Sequence, residues 1–215
     1  MPLINSCNIA SGGHAGNTKS MIECVEISIR CNVEIGAHPS YPDRFNFGRK
    51  KMDISNSELS YSIISQIESL ESISNSYGKK INHIKAHGAL YHKCFNDVEV
   101  AKSFVQVVKL FKNVKILAPY KSVVSKIAKD YGVQVDYEVF LDRNYNDDGT
   151  LVSRNEKNAL IHDSEQMFDH VFRMISSQKV KTISGSEIKI LADTFCIHGD
   201  NPKAVDLIQD LSKRL

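Results

Sequence analysis

Short apolar runs alternate with amphipathic helical stretches along the whole chain, and four of the runs end in a histidine set beside glycine, alanine or proline. They are Ser11-Gly-Gly-His14-Ala-Gly16, Gly36-Ala-His38-Pro39, Lys85-Ala-His87-Gly88 and Cys196-Ile-His198-Gly-Asp200. An apolar run that ends in a polar group and a small residue reads as a buried strand reaching a loop. Repeated strand–helix units with short connections imply a parallel sheet, closed as a barrel or left open. In both architectures functional groups collect at the carboxyl ends of the strands. The four histidines are therefore expected at one mouth of an α/β enzyme.

Strands are predicted at 3–10, 33–37, 81–86, 114–118, 133–141 and 194–198, and a β-hairpin over 180–191 turning at Ser184-Gly-Ser186. A first helix carries Ile22, Val25 and Ile29 at helical spacing. Ser55-Asn-Ser-Glu58 has capping-box spacing ahead of a helix that carries Leu59, Ile63, Ile67 and Leu70 on one face and ends at Gly78. Further helices are predicted at 97–112 and 121–131. Another is capped by Asp163 or Ser164, with Met167, Val171 and Ile175 inward. Asn201-Pro202 supplies a cap and a first-turn proline for the last helix. There is no linker, repeat or low-complexity tract, so one domain over 1–215 is expected.

With 215 residues the chain has ample material for a single core. A formal net charge of +2 leaves no electrostatic footprint for nucleic acid. The cationic run Arg49-Lys-Lys51 is short and reads as a solvated loop. No apolar stretch approaches the ~20 residues that cross a bilayer, and no signal segment opens the chain. A cytoplasmic protein without a membrane or nucleic-acid partner is the expectation. Cys7, Cys24, Cys31, Cys94 and Cys196 form no CxxC pair and read as reduced thiols. Cys196 points the same way as His198, so a nucleophilic thiol is geometrically open there, although a thiol inside an apolar strand is more often core.

Histidine works as base, acid or metal ligand near neutral pH because its reference pKa of about 6.5 lies there. One isolated histidine is more often a hydrogen-bonded packing residue; four in similar small-residue settings favour a site. His83 reads as structural, and His92, His162 and His170 as surface or helix residues. Asp142, at a strand end, and Asp200, after His198-Gly199, can orient an imidazole, though Asp200 can equally cap the last helix. Lys85 is placed to give the pocket a cation or to snorkel at a strand edge. Gly12, Gly13 and Gly16 lie between a strand and a helix, where free amides can cradle an anion. Neither GxxxxGK[ST] nor GxGxxG is present, and without HExxH or paired CxxC no particular metal can be assigned.

Taken together, the motifs resemble the LamB/YcsF family of bacterial 5-oxoprolinase A subunits. The matching stretches are Asn8-Ile-Ala-Ser-Gly-Gly-His-Ala-Gly16, Gly36-Ala-His-Pro-Ser-Tyr-Pro-Asp43, Phe47-Gly-Arg49, Ile84-Lys-Ala-His-Gly-Ala-Leu-Tyr91, Glu138-Val-Phe-Leu-Asp-Arg-Asn-Tyr145, Asp148-Gly-Thr-Leu-Val152 with Arg154, and Cys196-Ile-His-Gly-Asp-Asn-Pro202. The resemblance implies an irregular β/α barrel of the glycoside hydrolase/deacetylase type. It implies ATP-dependent opening of 5-oxoproline to L-glutamate, ATP being the co-substrate with a magnesium ion, alongside B and C partner subunits. It implies a pocket with His14, His38, His87, Asp142 and His198 as catalytic candidates. Lys85, Arg143, Asp200, Gly13 and Gly16 would then bind substrate or phosphate. Either His14 or His38, oriented by Asp142, is expected to be the base, and Lys85 or Arg143 to balance anionic charge.

Two departures from the family pattern stand out. Ala10-Ser-Gly-Gly-His14 replaces Ala-Cys-Gly-Phe-His, and no acidic Asp-x-Asn-x-Asp-x-Gly-Glu segment precedes the first histidine. A barrel short of its first strand, with impaired activity, is the expectation from the second. Other readings are a metal-dependent deacetylase or amidohydrolase, in which histidine and aspartate hold a divalent ion, and a non-catalytic partner-binding subunit.

Overall fold

A computed structural model describes residues 1–199, 201 and 203–214. The chain divides into two compact units, Met1–Val135 and Asp136–Leu215. In the first, strands β1 (Ser6–Ala10), β2 (Glu34–His38), β3 (His83–Ile84) and β4 (Lys115–Ala118) lie side by side in chain order, all parallel. Helices α1 (Thr18–Arg30), α2 (Asn56–Ser76), α3 (Gly88–Asn96), α4 (Val98–Val108) and α5 (Val123–Asp130) make the connections. Val25, Ile63, Ile67, Leu70, Ile84, Phe104 and Ile116 form its buried centre.

The register explains where the histidines go. Ala10 pairs with His38 across β1 and β2, so both strands finish level and their following loops start together. The third strand is shorter than the run at 81–86, yet its pairing continues: Asn82 N donates to Ile35 O, Lys85 N to Ala37 O and His87 N to Pro39 O. His83 is structural, as expected. Its imidazole is buried over Gly36, where a Cβ would stand 2.0 Å from Nε2, and Nε2 meets Asn8 Oδ1 at 3.1 Å.

The reciprocal box of Ser55 and Glu58 opens α2. A helix not foreseen from the sequence, α3, starts directly after His87, without a side-chain cap. Its apolar face is only Leu90, Tyr91 and Cys94, and it opens on a glycine, so neither periodicity nor capping announced it.

In the second unit β5 (Val135–Phe140) pairs in parallel with β8 (Thr194–Cys196), and β6 (Lys179–Lys181) forms a hairpin with β7 (Glu187–Lys189). Helices α6 (Ser164–Ser177) and α7 (Ala204–Arg214) cover a core of Leu141, Ile161, Met167, Val171, Leu207 and Leu211. Asp163 caps α6, accepting from Gln166 N. Two expectations for α6 are corrected. Ile175 is half exposed, and the inward positions are Met167, His170, Val171 and Met174. His170 is therefore a core residue, held through Nε2 on Phe140 O at 3.2 Å. Pro202 lies outside the described residues. No described helix is long and apolar enough to cross a membrane.

Candidate functional site

Three histidines meet in the first unit. His14 lies on the loop after β1, His38 closes β2, and His87 follows β3, so parallel pairing delivers all three to one end of the sheet. The rings of His14 and His87 are stacked, with centroids 3.6 Å apart and planes 5° from parallel. The His38 ring stands edge-on to both, 5.5 Å from His14 and 4.8 Å from His87. His38 Nδ1 donates to Lys85 O at 2.8 Å, and His87 Nε2 donates to Phe47 O at 2.9 Å. Between the rings, His87 Nδ1 and His38 Nε2 are 3.0 Å apart.

Burial, reinforced by Arg49 and Arg44, lowers the His14 pKa to about 4. Burial, then His14, lowers that of His87 to about 3, with Arg49 and Lys85 adding to the effect. His38 is held well below the usual imidazole range, first by burial and then by His87. Near neutral pH these are uncharged rings. Lys85, at the end of the β3 run, is buried, and its Nζ lies 5.7 Å from the Tyr91 ring centroid.

The loop between β2 and α2 builds one wall. Phe47, in the left-handed region at φ 54°, turns its carbonyl to His87 and sets its ring edge-on to His14 and His87 at 5.0 and 5.2 Å. That conformation is strained for a bulky residue, and such strain concentrates at functional sites. The Arg49 guanidinium lies over the Phe47 ring at 4.8 Å. Gln66, on the inner face of α2, clamps the loop: its Oε1 accepts from Ser40 N at 2.9 Å and its Nε2 donates to Ser40 O at 3.0 Å. Sequence reading passed over Gln66. The available signal was a single amide among the inward leucines and isoleucines of an otherwise apolar face.

The glycines of the first loop are explained by packing. A Cβ on Gly13 would stand 2.3 Å from Gln66 Oε1, and one on Gly16 would stand 2.2 Å from Ala10 O. Arg44 pins the loop by donating to Gly12 O and Gly16 O at 3.1 and 2.8 Å. Gly12 N donates to Ala15 O at 2.8 Å, and at the head of α1 Asn17 and Ser20 cap each other, so the amides proposed as an anion cradle are partly engaged.

The second unit holds an imidazole–carboxylate pair. Asp142 follows β5 and is fully buried; His198 follows β8, whose register carries Leu141 N onto Cys196 O. His198 Nδ1 lies 2.9 and 3.2 Å from the two carboxylate oxygens of Asp142, and its backbone N lies 3.4 Å from one of them. Burial pushes the Asp142 carboxyl upward, but the hydrogen bonds and charge of His198 outweigh it, and the group stays below its ordinary value. An ionised carboxylate only accepts, so His198 Nδ1 is the donor and a neutral ring leaves Nε2 as its base. The Phe140 ring stacks on His198 at 5.3 Å. The expected pairing is thus corrected: the imidazole oriented by Asp142 is His198, while His38 donates from Nδ1 to Lys85 O and faces His87 Nδ1 with its Nε2.

Arg143 is buried and donates to Ala159 O at 3.3 Å and Val152 O at 2.5 Å, tying its own loop together. Asp200 lies outside the described residues. Cys196 is in no disulfide, and neither are the other four cysteines. Among the described residues, no three His, Cys, Asp or Glu side chains are placed to hold a metal ion.

Comparison with known proteins agrees with the motifs. The sequence model of the LamB/YcsF family matches residues 1–215. The A subunit of 5-oxoprolinase from Thermococcus sibiricus is 42% identical over 216 residues, covering 100% of this chain and 85% of the relative. Its counterpart from Campylobacter jejuni is 41% identical with the same coverage. Among solved structures, a lactam utilization protein from Thermus thermophilus superposes with a TM-score of 0.91 at 32% identity, covering 99% of this chain and 85% of that one. The likeness carries the mixed α/β fold with parallel strands expected from the motifs. The chain belongs to the LamB/YcsF family.

Proposed function

We propose that this chain is the A subunit of a 5-oxoprolinase, opening the lactam of 5-oxoproline to L-glutamate with ATP hydrolysis and with B and C partner subunits. The names of the relatives support the substrate, and their being lettered as one subunit of an enzyme supports a complex of several chains. The observation that carries the chemistry is the bond between His198 and Asp142, which leaves an oriented imidazole whose Nε2 has no hydrogen-bond partner among the described residues. An enzyme spending ATP in this way works in the cytoplasm.

A five-membered lactam is an unstrained amide and a poor electrophile. Transfer of the ATP terminal phosphoryl group to the lactam oxygen activates the carbonyl carbon and releases ADP. His198 Nε2 takes a proton from water as the water oxygen bonds to that carbon, and Asp142 stabilises the imidazolium. The C–N bond breaks as the ring nitrogen gains a proton, and a second water converts the acyl phosphate to carboxylate and phosphate. Magnesium enters with the nucleotide phosphates.

The test is stoichiometry. With partner subunits present, about one ADP should form for each L-glutamate released from L-5-oxoproline. Glutamate release without nucleotide would contradict the reading.

A further inference from the structure

The hydrogen count of the His38–His87 contact is fixed by its neighbours. Lys85 O and Phe47 O can only accept, so His38 Nδ1 and His87 Nε2 each carry a hydrogen. The two remaining nitrogens face each other at 3.0 Å and bond only if one of them carries a hydrogen as well. Three hydrogens on the four nitrogens are one more than two neutral imidazoles hold. With all three bonds made, the pair bears a single positive charge.

Burial opposes that charge, as do the groups around it. His14 stacks on His87, Arg49 and Lys85 act on His87, Lys85 and His14 act on His38, and Arg44 with Arg49 acts on His14. A second observation concerns the loop after β1. Ser11 Oγ and His14 Nδ1 are buried without a hydrogen-bond partner among the described residues, in residues that are each 4% exposed. Buried polar atoms of this kind call for a ligand or water oxygen.

We propose that the His38–His87 pair, with Ser11 and His14, is a proton-coupled oxyanion site: it takes up one proton when a carboxylate or phosphate group binds and releases it when the anion leaves. The anion offsets the charge that burial disfavours, and the proton completes the third hydrogen bond. Proton and anion each tighten the other by the same factor. Assigning the anion to a lactam carboxylate or a nucleotide phosphate rests on the function proposed above; the proton count does not.

The test is titration calorimetry of the full chain near pH 8, in two buffers of different ionisation enthalpy, with L-5-oxoproline and with sulfate. Sulfate is a tetrahedral oxyanion without a proton of its own in this range. The expected result is uptake of about one proton per anion bound, with affinity falling about tenfold per pH unit through the alkaline range. His38→Asn keeps a donor for Lys85 O and removes the facing nitrogen, and should bind with almost no proton uptake. If that variant fails to fold, 15N spectra of the wild-type imidazoles should show one additional protonated nitrogen in the pair when sulfate is added. Uptake with L-5-oxoproline assigns the site to a carboxylate. Uptake with sulfate alone assigns it to phosphate and weakens the lactam reading without touching this one. Binding without proton uptake, unchanged uptake in His38→Asn, or binding of neither probe would overturn the proposal.

Discussion

His198 gives its Nδ1 hydrogen to Asp142 at 2.9 Å, and these residues are 56 positions apart in the chain. Parallel pairing of β5 with β8 brings them level, because each follows the end of its strand. The buried carboxylate holds the ring in the tautomer that exposes Nε2, so Asp142 acts on chemistry through His198.

Asp142→Asn removes the charge and leaves an amide that can offer either a donor or an acceptor to the ring. Turnover should fall by about 10²–10⁴-fold, the usual worth of an oriented general base. A purely structural role would leave the ring tautomer alone. The 15N spectrum of His198 should lose its fixed Nδ1–H form, and an unchanged spectrum would refute the positioning role.

Acid should destabilise the fold before any carboxylate is protonated. His14, His87 and His170 have folded-state pKa values lowered, mainly by burial, to about 4, about 3 and about 4. In the unfolded chain each titrates near about 6.5, so on acidification below that value the unfolded state binds more protons. Urea-measured stability should be level above about pH 7 and decline below about 6.5, each histidine contributing up to about 1.4 kcal/mol per pH unit. The depressed Asp142 carboxyl adds a further loss as pH falls through its folded value. Stability rising between about pH 7 and pH 5 would contradict these assignments.

Gly36→Ala places a methyl group 2.0 Å from His83 Nε2, between a central strand and a buried ring. The ring must leave Asn8 or the strands must part, at a cost of about 1–3 kcal/mol. Urea unfolding measures it, and a change within about 0.5 kcal/mol would show that the imidazole yields freely.

Gln66→Leu leaves the N–H and C=O of buried Ser40 without their side-chain partner. The expected loss is about 2–6 kcal/mol, from two unsatisfied buried groups at about 1–3 each. Limited proteolysis should then cut first within residues 39–52. Wild-type resistance of that loop in the variant would show that Gln66 does not hold it.

Much of this was legible in the sequence because small residues beside histidine mark where a buried strand meets a loop. His14, His38 and His87 gather as that pattern implies, and Ser55 with Glu58 caps α2 as the spacing requires. Pairing between side chains was harder to read. Asp142 carries no mark of its partner, which is set by strand register, and Gln66 is one of many polar residues in α2, distinguished only by lying on its inward face. His170 reads as a surface or helix residue because it is polar, yet it stands three positions after Met167 and one before Val171, on the inward face of α6.

The most direct measurement is L-glutamate release from L-5-oxoproline by this chain assembled with its B and C subunits, wild type beside His198→Ala. ATP-dependent release that falls at least about 100-fold in His198→Ala is the expected result. Full turnover by His198→Ala would contradict the assignment of His198 as the base. No glutamate from the wild-type complex would contradict lactam opening itself.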